Sequence, residues 1–154
     1  MADILLVCSG NTCRSPMAEE ILRNKINEWG GPALRVSSAG LMAIPGQEAT
    51  RESRQVMAEV GWDIGAHRSR RLHGDMIEAA ALVITMESWQ CDTLRDRFPE
   101  QAERIFNLGE LAGSKSEEVY DPYGGDLEQY RITARQLQQL IDQAKNILKI
   151  ETGD

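Results

Sequence analysis

The chain has 154 residues, of which 42% are hydrophobic and 27% are charged, and this composition suits one globular domain. Its 24 acidic and 17 basic residues give a net charge of −7, which excludes a broad basic surface for nucleic acid or anionic membranes. The longest apolar run, residues 79–86, is too short to cross a bilayer, and three cysteines do not make a disulfide framework. We therefore expect a cytoplasmic protein that holds any anionic ligand in a local site.

Four short segments are predicted to be β-strands. Residues 4–7 and 81–86 are continuous apolar runs, which are typical of strands buried on both faces of a sheet. Residues 35–40 and 104–108 predict two further strands with a weaker pattern. Apolar residues at helical spacing predict helices over residues 15–29, 48–60, 88–99 and 127–150. This alternation of strand and helix favours an α/β fold with a doubly wound parallel sheet and a site at the carboxyl ends of its strands.

The segment between the first strand and the first helix carries the chemistry. We name residues 8–15 the phosphate loop; with the next residue they run Cys8-Ser9-Gly10-Asn11-Thr12-Cys13-Arg14-Ser15-Pro16. A loop that curls into a helix N-terminus points several backbone N–H groups at one spot and forms a cradle for an anion. We expect Gly10 to take a positive φ where the loop turns, and Arg14 to bind two phosphate oxygens. Asn11 also tolerates left-handed conformations and is expected to lock the loop through its side-chain amide. Cys8 at the floor of this cradle, with the Ser15 hydroxyl beside it, predicts thiolate attack on phosphorus.

This loop resembles the signature loop of the low-molecular-weight protein tyrosine phosphatases. Three more segments fall where that family places its matching segments: Ser38-Ala39-Gly40, His67-Arg68-Ser69 and Asp121-Pro122-Tyr123. The resemblance covers nearly the whole chain, so we expect residues 1–154 to form a single phosphatase domain. It implies a flavodoxin-like four-stranded parallel sheet flanked by helices, no metal or other cofactor, and a phosphocysteine intermediate.

The resemblance also implies roles for individual residues. Asp121 is expected to act as general acid for the leaving group, and then as general base for the water that cleaves the phosphocysteine. Tyr123 would form a wall of the pocket, and His67 would brace the phosphate loop through Asn11. The residues expected to contact phosphate or substrate are Ser9, Gly10, Asn11, Thr12, Cys13, Ser15 and Tyr123.

Cys13 and Cys91 have different expected roles. The resemblance implies a reversible disulfide between Cys8 and Cys13 that shields the nucleophile from over-oxidation, and a small buried core residue is the alternative for Cys13. Cys91 is expected to be structural. Arsenate reductases of this fold need two further cysteines after the third strand to relay a disulfide, whereas this chain has Glu87 and Cys91 there.

Thr12 separates two branches of the family. Tyrosine-directed members commonly carry a bulky aliphatic residue there, whereas a threonine with a later Asp-Pro-aromatic-Gly-Gly segment resembles the bacterial protein-arginine phosphatases. The Thr12 hydroxyl and Asp121 can hydrogen-bond the planar guanidinium of phosphoarginine, where isoleucine would offer only bulk. We therefore expect phosphoarginine as substrate; if Thr12 is merely an isostere of a β-branched residue, phosphotyrosine is the alternative.

The remaining predictions concern the surroundings of the pocket and the partners. Leu41, Met42 and Ile44 are expected to line its entrance. A non-catalytic phosphopeptide-binding module is a further class of function. Against it, the phosphate loop keeps every residue that the reaction is expected to need. The expected partners are phosphorylated proteins, without nucleic acid or membrane, and the expected oligomeric state is a monomer.

Overall fold

The computed structural model describes residues 2–30 and 34–151, so the ends of the predicted domain, Met1 and Asp154, lie outside the described residues. A four-stranded parallel sheet forms its centre, with the strand order β2-β1-β3-β4. This order confirms the predicted flavodoxin-like arrangement, in which the chain starts near the middle of the sheet and winds outwards in both directions. The strands are β1 (Ala2–Cys8), β2 (Leu34–Gly40), β3 (Leu82–Thr85) and β4 (Ile105–Asn107).

Helices connect and flank the strands. They are α1 (Arg14–Glu28), α2 (Arg51–Glu59), α3 (Gly74–Ala79), α4 (Ser88–Arg97), a 3-10 helix (Pro99–Arg104), α5 (Leu108–Leu111), α6 (Leu127–Gln143) and α7 (Lys145–Glu151). The single helix predicted over residues 127–150 is two helices, because Ala144 takes a ψ of −1° instead of the helical value of about −42°. Within the described residues, no helix combines the length and the apolar character that crossing a bilayer requires.

Three details of the predicted elements differ from the structure for local reasons. Leu108 does not close the last strand but opens α5, where Asn107 and Glu110 form a capping box. The sequence favours Ser88 as the N-cap of α4, but the cap is Glu87, whose side chain accepts from the backbone of the third helical residue; Ser88 is the first residue of the helix. Helices α3 and α5 have six and four residues, which is too short for a helical period to show in the sequence.

The sheet separates two apolar clusters, as the alternation of side chains along β1 shows. Ile4, Leu6 and Cys8 belong to the larger cluster, which also contains buried residues of α1, α2 and α6. Leu5 and Val7 belong to the smaller cluster, which contains buried residues of α3 and α4. Successive side chains of a strand point to opposite faces, so helices cover both faces of the sheet. The same alternation places Cys8, at the carboxyl end of β1, on the face that α1 covers.

Candidate active site

Cys8 lies at the floor of the phosphate loop and is only 2% exposed. Its Sγ lies 2.9 Å from Ser15 Oγ and accepts a hydrogen bond of 3.3 Å from the backbone N–H of Asn11. The Asn11 Nδ2 amide donates to the same Ser15 hydroxyl at 2.8 Å, which leaves the hydroxyl hydrogen free to point at the sulfur. Two donors therefore converge on Cys8 Sγ, and this arrangement stabilises a thiolate.

The side chain of Asn11 is fully buried and serves as a frame for the loop. Besides Ser15, its Nδ2 donates to Ser38 Oγ of β2 at 2.9 Å, and its Oδ1 accepts from the backbone N–H of Arg70 at 2.8 Å. One carboxamide thus ties the phosphate loop to α1, to β2 and to the segment before α3. The side chains of Asn11 and Ser15 support the loop from behind, in the roles predicted for them, and do not line its cavity; their predicted contact with phosphate or substrate stays a prediction.

The backbone of Asn11 makes the sharp turn of the loop. Its φ is 58°, whereas Gly10, for which a positive φ was predicted, is not in that conformation. Asparagine enters the left-handed region more readily than other residues with a side chain. The Asn11 carbonyl accepts a hydrogen bond of 2.7 Å from His67 Nε2, which therefore carries a hydrogen. Gly40 permits the close approach of β2, since a Cβ there would lie 2.6 Å from the Ser9 carbonyl oxygen.

Arg14 is a charged side chain that is only 1% exposed. Its Nη1 donates to Glu87 Oε2 at 2.6 Å and to the Val119 carbonyl at 2.9 Å, and its Nη2 lies 3.7 Å from Asp121 Oδ2. Within the described residues, its Nε is the buried side-chain polar atom without a hydrogen-bond partner. A buried donor without a partner is unfavourable, so Nε and Nη2 are suited to receive the oxygens of a bound anion.

A cavity of about 370 Å³ opens above this loop. It brings together residues that lie more than 100 positions apart in the sequence, and its lining consists of Cys8, Ser9, Gly10, Thr12, Cys13, Arg14, Met42, Ile44, Gln47, Asp121 and Tyr123. Leu41, which was predicted at the entrance, instead packs against the smaller apolar cluster. Gln47 was not predicted at the site and lies on the same segment as Met42 and Ile44.

The segment that carries Asp121 is anchored close to Arg14. The backbone N–H of Val119 donates to the Met86 carbonyl at 2.9 Å, while the Val119 carbonyl accepts from Arg14. The Asp121 carboxylate is about half exposed, and its Oδ1 accepts from the backbone N–H of Tyr123 at 3.0 Å. A carboxyl group at the mouth of an anion-binding cavity is placed to exchange protons with a leaving group or with water.

Cys13 is buried beside two hydroxyl groups. Its Sγ lies 3.4 Å from Tyr130 Oη and 3.8 Å from Thr50 Oγ1. Burial raises the pKa of the Cys13 thiol, and the hydrogen bonds of Tyr130 and Thr50 oppose this effect only in part. Cys13 is therefore held mainly as the neutral thiol at neutral pH. Its predicted disulfide with Cys8 stays a prediction.

Cys91 belongs to a different part of the molecule. It packs in the smaller apolar cluster, on the face of the sheet opposite to Cys8, and burial raises its pKa to about 11. A thiol with this pKa is not a nucleophile at neutral pH, which agrees with the structural role expected for Cys91.

Residues 3–152 match the family described as low molecular weight phosphotyrosine protein phosphatase. The chain belongs to this family. Membership makes it a protein phosphatase and confirms the class of enzyme predicted from the phosphate loop.

Relatives of both substrate classes resemble the chain. The protein-arginine-phosphatase of Geobacillus stearothermophilus is 39% identical over 148 residues, which cover 96% of this chain and 97% of the relative. A probable low molecular weight protein-tyrosine-phosphatase, EpsP of Ralstonia nicotianae, is 34% identical over 90% of both chains. A solved structure of the YwlE arginine phosphatase from Geobacillus stearothermophilus has a TM-score of 0.88 at 38% identity, covering 98% of this chain and 95% of that one.

The sequence did not predict that Glu87 and Gln90 support the phosphate loop. Glu87 accepts the short hydrogen bond of Arg14 and caps α4 as well. Gln90 is fully buried; its Nε2 donates to Ser9 Oγ at 3.1 Å, and its Oε1 accepts from the backbone of Met86 and Glu87. The capping box Glu87-x-x-Gln90 directly after a buried strand was the available signal.

Replacing Glu87 by glutamine tests whether Glu87 holds Arg14 in position for catalysis. We expect kcat/KM for p-nitrophenyl phosphate to fall about ten- to a hundredfold, because the buried Arg14 guanidinium loses its charge partner and its fixed orientation. Glu110→Gln is the matched control, since Glu110 belongs to a capping box in α5 and does not line the cavity. Equal activities of the two variants would show that Glu87 only caps α4.

Proposed function

We propose that this chain is a cytoplasmic protein-arginine phosphatase, and that the position of Thr12 in the cavity carries this assignment. Thr12 lines the cavity together with Asp121 and Tyr123 and is only half-buried. Within the described residues, the one polar contact of its Oγ1 is a long one, 3.9 Å to Cys13 Sγ. The hydroxyl therefore keeps both its donor and its acceptor capacity for a ligand.

The backbone around Thr12 is fixed, so its side chain leaves the loop at a defined point of the cavity wall. The Thr12 carbonyl accepts a hydrogen bond of 2.9 Å from the backbone N–H of Thr50, the residue that caps α2. A phosphorylated guanidinium carries N–H donors beside the scissile bond. The Thr12 hydroxyl and the carbonyl oxygen of the protonated Asp121 carboxyl group are acceptors on the walls of the cavity. A site built to hydrogen-bond its substrate discriminates strongly against analogues that lack the donor.

The reaction follows from the groups around Cys8. The thiolate attacks phosphorus, so that an S–P bond forms while the P–N bond of phosphoarginine breaks. Asp121 gives its proton to the leaving guanidine nitrogen. The amides of the phosphate loop and Arg14 bind the three phosphoryl oxygens, on which charge spreads in the transition state. Asp121 then takes a proton from water, which attacks phosphorus; the S–P bond breaks, and phosphate and the Cys8 thiolate are released.

The arrangement of the cysteines supports a phosphatase over an arsenate reductase. A reductase relay needs two further cysteines near the nucleophile. Cys13 lies in the same cluster as Cys8, but Cys91 lies in the cluster on the opposite face of the sheet. A Cys8 nucleophile also requires a compartment that keeps thiols reduced, which is the reason for placing the reaction in the cytoplasm. Residues 1–154 would act as one domain and as a monomer on phosphorylated proteins, without nucleic acid, membrane or cofactor.

Phosphotyrosine is the second candidate substrate, and Tyr123 is the observation in its favour. The Tyr123 side chain lines the cavity and is 72% exposed, so an aromatic leaving group can stack against it. The mechanism is unchanged, except that Asp121 protonates a phenolate oxygen.

Matched phosphoarginine and phosphotyrosine peptides distinguish the two candidates. We expect the wild type to prefer phosphoarginine in kcat/KM, and Thr12→Ile to lower this preference about ten- to a hundredfold, because the substrate N–H group loses its acceptor. Thr12→Ser is the matched control: it keeps the hydroxyl and should keep the preference. The proposal fails if the wild type prefers phosphotyrosine, or if Thr12→Ile and Thr12→Ser behave alike.

A further inference from the structure

The position of Asp121, the proposed general acid, depends on the backbone that carries it. Its carboxyl group is about half exposed. Within the described residues, the polar contacts of this group are the Tyr123 backbone N–H at 3.0 Å and Arg14 Nη2 at 3.7 Å. Misplacing a catalytic group by about 1 Å can cost about a hundredfold in rate. Side chains that fix this backbone therefore contribute to the reaction.

Two successive carbonyl groups hold this backbone between two distant helices. We name residues 117–121 the acid segment. The Val119 carbonyl accepts from Arg14 Nη1 of α1 at 2.9 Å, and the Glu118 carbonyl accepts from Gln136 Nε2 of α6 at 2.8 Å. The same Gln136 Nε2 donates to Glu117 Oε2 at 3.0 Å. Both hydrogens of the Gln136 amide are therefore directed at the acid segment.

The Glu118 side chain ties the acid segment to a third helix. Its Oε1 and Oε2 accept from the backbone N–H of Ser88 at 2.9 and 3.0 Å. Ser88 is the first residue of α4, and a negatively charged group is favourable at a helix N-terminus. The residue before it, Glu87, accepts from Arg14. The start of α4 therefore holds both the arginine that faces the phosphate and the segment that carries the acid.

The anchored part of the acid segment ends directly before its catalytic residue. The Glu117 carbonyl accepts from Asn107 Nδ2 at 3.4 Å, and it lies so close to α5 that a Cβ on Gly109 would collide with it. Hydrogen bonds thus fix residues 117, 118 and 119 in turn. Tyr120 and Asp121, which follow, are both exposed. The Asp121 carboxyl is therefore carried at the end of a clamped stretch of backbone.

We propose that Gln136 and Glu118 are positioning residues for catalysis, which hold Asp121 where its carboxyl proton can pass to the leaving atom as the bond to phosphorus breaks. Neither residue lines the cavity above Cys8, so both act through the acid segment. This inference rests on the proposed role of Asp121 as general acid. It is independent of the choice between phosphoarginine and phosphotyrosine, since either leaving group needs the proton.

Leaving groups of different basicity provide the test. Phenolate is a strong base and needs a proton as it leaves, whereas p-nitrophenolate leaves as a stable anion. With enzyme in excess, we expect Gln136→Leu and Glu118→Ala each to lower the single-turnover rate constant for phenyl phosphate about tenfold. The rate constant for p-nitrophenyl phosphate should change less than about twofold. The inhibition constant of inorganic phosphate should also change less than about twofold, because the phosphate loop is intact.

Three further variants separate positioning from a merely structural role. Glu118→Gln keeps an oxygen acceptor for the Ser88 N–H, and Gln136→Lys keeps a donor for the Glu118 carbonyl, so both should regain most of the rate on phenyl phosphate. Gln136→Leu added to Asp121→Asn should cause no further loss, because the carboxyl that it displaces is already absent. Gln139→Leu is the matched control, an exposed glutamine of α6 outside the cavity and outside the groove that Gln136 lines.

Three outcomes would overturn the inference. Equal losses on both substrates, together with weaker inhibition by phosphate, would mean that the acid segment supports Arg14 instead of Asp121. A full tenfold loss in the Asp121→Asn background would mean that Gln136 does not act through Asp121. Unchanged rates in both single variants would mean that the other hydrogen bonds suffice to hold the segment. Asp121→Asn alone tests the proposed function: if its loss did not depend on the leaving group, the acid role itself would fail.

Discussion

Replacing Cys8 by serine should reduce kcat at least about 10⁴-fold while the protein stays folded. The reason is the environment of Cys8 Sγ, in which the Ser15 hydroxyl and the Asn11 amide stabilise a thiolate. A serine hydroxyl at the same place does not ionise at neutral pH and has no general base within the phosphate loop. The substitution removes one nucleophilic atom and preserves the shape of the site, so the thermal unfolding temperature should change little.

Burst kinetics with p-nitrophenyl phosphate provide the measurement. The wild type should release up to one equivalent of p-nitrophenolate before steady state, as the phosphocysteine accumulates, and the variant should release none. Cys91→Ser is the matched control, a second buried cysteine whose Sγ lies 3.8 Å from the Ile105 carbonyl and takes no part in the site. Wild-type protein that binds phosphate but does not turn over would support the non-catalytic phosphopeptide-binding module. Turnover by Cys8→Ser would show that Cys8 is not the nucleophile.

Replacing Asp121 by asparagine should lower kcat about 10²- to 10³-fold on phosphoarginine, because the leaving guanidine nitrogen needs a proton. The effect should be much smaller in the first step with p-nitrophenyl phosphate, since p-nitrophenolate leaves as a stable anion. The carboxyl of Asp121 lies 3.7 Å from Arg14 Nη2, and an amide keeps its size but carries no acidic proton. Pre-steady-state kinetics on both substrates separate the leaving-group step from the hydrolysis step.

The control for this variant is Asp126→Asn. Asp126 lies near Asp121 and caps α6 through the Gln129 backbone N–H, a role that asparagine can also fill. Asp126→Asn should have a kcat within about twofold of the wild-type value on both substrates. If Asp121→Asn lowered the rate of the bond-breaking step equally for the two substrates, the role of Asp121 would be to orient Arg14 and not to donate a proton.

The sequence was informative wherever neighbouring residues define the structure. The strand, loop and helix around Cys8 lie within one continuous stretch, and the alternation along β1 predicts which face the sulfur occupies. The predicted site residues Asp121, Tyr123 and Thr12 line one cavity, since α/β sheets gather their sites at the carboxyl ends of the strands.

Features that depend on contacts between distant segments were missed. Glu87 lies 73 positions from Arg14, and only the pairing of β3 beside β1 brings their side chains together. The partner of the Val119 carbonyl could not be predicted for the same reason. The exchange between Gly10 and Asn11 has a different cause: glycine is the usual residue at positive φ, but the three side-chain hydrogen bonds of Asn11 stabilise the left-handed conformation at its own position.

The buried frame around Asn11 has a consequence for how such an enzyme changes over time. Asn11 is held from behind the loop, by Ser38, His67 and the backbone of Arg70, and none of these residues lines the cavity. Walls that take no part in the chemistry come from other segments, which carry Met42, Ile44, Gln47 and Tyr123. Selection can therefore alter the walls without disturbing the machinery that cleaves the phosphoryl bond. Substrate classes can diverge within one family while the chemistry is inherited intact.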